Sequence, residues 1–90
     1  MTGISAIVEI FVESPQLGEV VETLAHLPKV EALYEVTGES DIIMLVSAES
    51  IAEFRDFLKN KIMKTPGVRS TVTSIVLSTA KDIRTGRQPD

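Results

Sequence analysis

The stretch Val36-Thr37-Gly38-Glu39-Ser40-Asp41-Ile42-Ile43-Met44-Leu45-Val46 decides how this chain folds. A short polar knot stands between two extended apolar runs. Gly38 can take a positive φ without a Cβ penalty, and Ser40 and Asp41 can bond their own backbone in a turn. Two strands joined by so short a loop lie antiparallel. From Ile42 to Val46 the second run is apolar at consecutive positions, so both of its faces should be covered, which places it at the centre of a sheet.

Working back from the knot, Val30–Thr37 alternates Glu31, Leu33, Glu35 against Ala32, Tyr34, Val36 and reads as a strand. Before it, Leu17, Val20, Val21, Leu24 and Leu27 recur at helical spacing, with Glu19 and Glu22 on the other side. Ser14 as N-cap and Pro15 at the first helical position would open this helix, and Pro28 would end it. Residues 4–13 alternate as a strand with Ala6, Val8, Ile10 and Val12 on one face and Ile7, Glu9 and Phe11 on the other. Downstream, Ser50 with Glu53 fits a capping box, and Ile51, Phe54, Phe57, Leu58 and Ile62 form a second helical stripe. Pro66-Gly67 stops that helix, and Val68–Thr79, rich in Val, Ile and Thr, reads as a last strand.

The order is strand, helix, strand, strand, helix, strand. Pro28-Lys29-Val30 returns as Pro66-Gly67-Val68, and Val20 and Leu24 stand where Leu58 and Ile62 stand, so the two halves echo each other. Two strand–helix–strand units interleave into a ferredoxin-like α+β fold, βαββαβ, with a four-stranded antiparallel sheet and both helices on one face. The other face carries Ile7, Phe11 and half of the apolar central strand. A second copy is the economical cover for it.

Ninety residues make one domain, and 43% apolar content with a mean hydropathy of +0.17 suffices for a core. Without cysteine, disulfides and thiolate metal sites are excluded. His26, the single histidine, falls near a helix end as a surface residue. No leader pattern or membrane-length apolar run is present, so a cytoplasmic protein is expected. The net charge of −4 divides unevenly, −9 over residues 1–53 and +5 over residues 54–90. Overall acidity argues against nucleic acid. The division reads either as two solvated faces or as a dipolar subunit that associates with its own copies. Residues 80–90 are polar and read as a short strand extension and a mobile tail.

Catalytic constellations are missing: no nucleophile partners His26, and no phosphate loop occurs. Of the exposed aromatics that an RNA-binding sheet of this fold needs, only Phe11 is on a central strand. The polar turn Gly38–Asp41 and the hydroxyls Ser70, Thr71 and Thr73 are the remaining candidate binding groups.

Val36-Thr-Gly-x-x-Asp41 before an apolar strand, then a helix, then Pro66-Gly67-Val68-x-x-Thr71-x-Thr73, resembles the effector-binding (RAM) domain of Lrp/AsnC-type regulators. The resemblance runs from about Ile4 to Lys81, assigning residues 1–81 to the domain and 82–90 to a polar tail. It lacks the helix-turn-helix domain of such regulators and so resembles the stand-alone form, for which direct DNA binding is not implied. The family implies dimers made by facing sheets, larger closed rings, and amino-acid effectors held at the junction between dimers. Carried over, Gly38, Glu39, Ser40 and Asp41 would lie at that site, with Thr71 and Thr73 near it. Asp41 offers an acceptor for an ammonium, and turn N–H groups and hydroxyls offer donors for a carboxylate. The expected function is a non-catalytic amino-acid-binding regulatory module that self-assembles and acts with full-length regulators, without cofactor, metal or membrane. The alternative is a small dimeric enzyme using the open sheet face as an apolar pocket.

Overall fold

In a computed structural model describing residues 3–84, the chain runs β1 (Ile4–Val12), α1 (Leu17–Ala25), β2 (Val30–Glu35), β3 (Ile42–Ala48), α2 (Ile51–Phe57) and β4 (Val68–Ile75). The sheet order is β2-β3-β1-β4, with every neighbouring pair antiparallel. This is the expected ferredoxin-like arrangement, with β1 and β3 central. Ala6, Val8, Ile10 and Val12 of β1 and Ile42, Met44, Val46 and Ala48 of β3 share one buried face. Val20 and Leu24 of α1, Phe54 and Phe57 of α2, and Ile62 close the core above them.

Several boundaries differ from the sequence reading. Ser14 does not cap α1. Pro15 instead sits in a 3-10 turn, Ser14–Gln16, whose Gln16 N–H reaches Glu13 O at 2.8 Å. Ser50 caps α2 as expected, its Oγ accepting from Glu53 N–H at 3.0 Å. The Glu53 carboxylate reaches one residue further back than a capping box requires, to Glu49 N–H at 2.7 Å, and also meets Lys29 Nζ at 3.3 Å. Ile51 stays half-exposed at the first helical position.

Beyond Phe57 the helix widens into a π turn, Leu58–Ile62, where Met63 N–H bonds Leu58 O. The wider turn explains how Phe57 and Ile62, five residues apart, both reach the core. Gly67 then takes φ +99°, and a Cβ there would stand 2.8 Å from Val20 Cγ2. The position therefore needs glycine for its conformation and for the close approach of α1.

β2 and β4 are shorter than read, ending at Glu35 and Ile75. After Ile75 the chain continues as a strap. Val76 N–H still bonds Ser5 O at 2.9 Å, and by residue 84 the backbone has crossed the helix-free face towards β2. Arg84 then donates to the Tyr34 hydroxyl at 3.3 Å and pairs with Asp82 at 2.6 Å. Residues 82–84, read as the start of the tail, lie against the sheet; 85–90 fall outside the described residues.

Candidate functional site

The turn between β2 and β3 is built from the residues that the sequence singles out. Gly38 has φ +139°, a region in which any side chain would be strained. Glu39 is exposed, whereas Ser40 is only 5% exposed. Asp41 fastens the turn to the sheet from both ends of the residue. Its N–H donates to Ile10 O at 3.0 Å, its O accepts from Val36 N–H at 3.1 Å, and its Oδ2 accepts from Val12 N–H at 2.8 Å. The last bond has a local cause. The β1–β3 ladder ends at the Ile10–Ile42 pair, and the Asp41 carboxylate takes the Val12 N–H just beyond it. Oδ1 has no protein partner among the described residues.

Thr71 and Thr73 lie half-buried on edge strand β4, opposite Ile10 and Val8. They share the helix-covered face with those residues. Asp41, one position before Ile42, falls on the other side by strand alternation. β1 separates the two groups, so two strand spacings, roughly 10 Å, lie between β3 and β4. The turn and Thr71 thus occupy the same end of the sheet, with Thr73 one repeat further in. One chain alone does not bring them into a common pocket.

A roomy hollow lies elsewhere. A cleft of about 1000 Å³ lies between the helix-free face and the strap, with Ile7, Ala32 and Leu45 among its apolar lining and Tyr34, Lys81, Asp82 and Arg84 among its polar groups. Sequence reading missed it because the strap residues carry no periodic pattern and Arg84 meets Tyr34 across 50 positions. The Arg84 guanidinium holds the Asp82 carboxyl below the usual carboxylate range, and Asp82 raises Arg84 in turn. Both groups are occupied with each other, and Ile7, Tyr34 and Val72 remain exposed on this face. Among the described residues there is no metal-binding cluster of His, Asp or Glu, and no helix is long and apolar enough to cross a membrane.

The profile of the Lrp/AsnC ligand binding domain matches residues 5–85. An uncharacterised HTH-type transcriptional regulator of Pyrococcus furiosus is 41% identical over 78 residues, 87% of this chain and 53% of that protein. The chain therefore spans about half the length of this relative. Among solved structures, TTHA0845 from Thermus thermophilus superposes with a TM-score of 0.82 at 29% identity, covering 88% of this chain and 99% of its own. The feast or famine regulatory protein of M. tuberculosis, complexed with L-methionine, superposes with a TM-score of 0.78 at 33% identity, covering 90% of this chain and 54% of that one.

Proposed function

Because the chain belongs to the Lrp/AsnC ligand binding domain family, we propose that it is a non-catalytic module that binds a free amino acid and acts on transcription through regulators of its family. The family match over residues 5–85 carries this reading. The L-methionine complex of the M. tuberculosis relative supports an amino acid as the ligand class. The module works in the cytoplasm.

Asp41 receives the ligand's ammonium on Oδ1, while Oδ2 remains on Val12 N–H. Backbone N–H groups of Gly38, Glu39 and Ser40, with the hydroxyls of Thr71 and Thr73, receive its carboxylate. The ammonium and carboxylate of an amino acid hang from one carbon, and β1 separates the two groups of residues within a chain. That separation fits a site completed by a neighbouring chain at a junction between dimers. The dimers form by pairing helix-free faces, where exposed Ile7, Tyr34 and Val72 supply the apolar contact. The rival reading, an enzyme with its pocket on this face, loses ground because the relatives are regulators and Arg84 of the cleft is engaged with Asp82 and Tyr34.

Calorimetric titration tests the site. Asp41→Asn keeps an acceptor for Val12 N–H but removes the charge, so amino-acid affinity should fall about 10- to 100-fold. Unchanged affinity would return Asp41 to a purely structural role. A wild-type protein that binds none of the amino acids would reduce the module to an assembly domain.

A further inference from the structure

The outer faces of the two helices carry opposite charge. On α1, Glu19 and Glu22 are exposed, and that helix contains no lysine or arginine. On α2, its π turn and the turn that follows, Arg55, Lys59, Lys61 and Lys64 are exposed, and none has a carboxylate within ion-pair distance among the described residues. Arg55 and Lys59 border a shallow groove with Ala52, Leu58 and Met63, and Met63 is 52% exposed. The acid in this groove, Asp56, accepts from Asn60 Nδ2 at 3.2 Å. An exposed methionine between unpaired cations is a surface shaped for an acidic helix with a gap in its face.

Helix α1 is such a helix. Gly18 leaves open space where a side chain would stand, and Glu22 follows one turn later. The ends also match. Gly67, just beyond the π turn, lies against Gln16 and Val20, so the start of α1 and the end of α2 share one end of the molecule. βαββαβ topology makes the two helices antiparallel, side by side on one sheet face. A two-fold axis parallel to the helices, between two helix layers, preserves height and exchanges sides. It sets α1 of each copy over α2 of the other. Met63 then meets Gly18, and four residues along each helix Lys59 meets Glu22.

We infer that the α2 face, with Arg55, Lys59 and Met63, is a docking surface for helix α1 of a second copy of this chain. The contact is isologous, since each copy gives one acidic and one basic helix. It lies on the side of the sheet opposite the proposed dimer face and does not depend on that face.

Analytical ultracentrifugation of Lys59→Glu beside the wild type tests this. Both Lys59 and Glu22 are exposed, so each variant should melt close to the wild type. At low salt the Lys59→Glu mass should be half that of the wild type or less, down to the sheet-paired dimer if those faces pair and to the monomer if they do not, and high salt should lower the wild-type mass likewise. The double variant Glu22→Lys/Lys59→Glu restores the pair with its signs exchanged and should return the mass to the wild-type value. Equal masses for the wild type and Lys59→Glu, or a double variant no larger than the single one, would overturn the inference.

Discussion

The Asp41 carboxylate accepts from Val12 N–H at 2.8 Å, so deleting it and neutralising it are different experiments. Asp41→Ala leaves Val12 N–H without its acceptor at the end of the β1–β3 ladder. It should cost about 1–3 kcal/mol, read as a lower melting temperature at roughly 4–8 °C per kcal/mol. Asp41→Asn should melt close to the wild type. If both variants melt equally low, the charge itself holds the turn. Gly67 gives a second residue-scale prediction. Gly67→Ala adds a Cβ 2.8 Å from Val20 Cγ2 at φ +99°, and should destabilise by about 1–3 kcal/mol in thermal or denaturant unfolding. The need for a glycine there was half legible, since Pro66-Gly67 marks a stop. That α1 presses on it was not, because the contact joins elements nearly fifty residues apart.

At the scale of the element, α2 owes its start to Glu53 as much as to Ser50. The bond from Glu49 N–H, with Lys29 Nζ beside it, holds the Glu53 carboxyl below its usual range. A depressed folded-state value means that its stabilisation is present above the ordinary carboxylate range, about 4.3, and is lost as pH falls through the folded value. The melting difference between wild type and Glu53→Gln should therefore exist at neutral pH and close in strong acid. A difference independent of pH would remove the charge from the explanation. β1 and the body of α1 were legible because one face of each had to be buried, and β3 because its run is apolar throughout. The π turn was not. Its helical stripe reads through Leu58 and Ile62 without revealing that a widened turn lets Phe57 and Ile62 share the core. The 3-10 turn was equally hidden, because Ser14-Pro15 is the same text for either kind of first turn.

For the whole molecule, the helix-free face is the feature with the largest consequence. Ile7→Glu sets a charge opposite Leu45 in the proposed sheet–sheet contact, and sedimentation should then show dissociation of the dimer or loss of folding. A well-folded variant of unchanged mass would mean that this face does not pair. The apolar pairing itself should resist salt, unlike the helix-layer contact. Sheet order and the buried face followed from alternation in β1 and from the unbroken apolar run of β3. The strap did not, because Arg84, Asp82 and Tyr34 carry no periodic signal and meet only through the fold. The candidate site was legible as residue types in the turn and on β4. Its division by β1 follows from strand order, which no short motif expresses.

The central claim, that this domain senses a free amino acid, is tested most directly by melting the chain with each of the twenty amino acids in turn. A ligand at about 100 times its dissociation constant stabilises by roughly 2.7 kcal/mol, a shift of about ten degrees or more in a domain of this size. At least one amino acid should raise the melting temperature of the wild type, with the rise reduced or lost in Asp41→Asn. No shift with any of the twenty would contradict the claim.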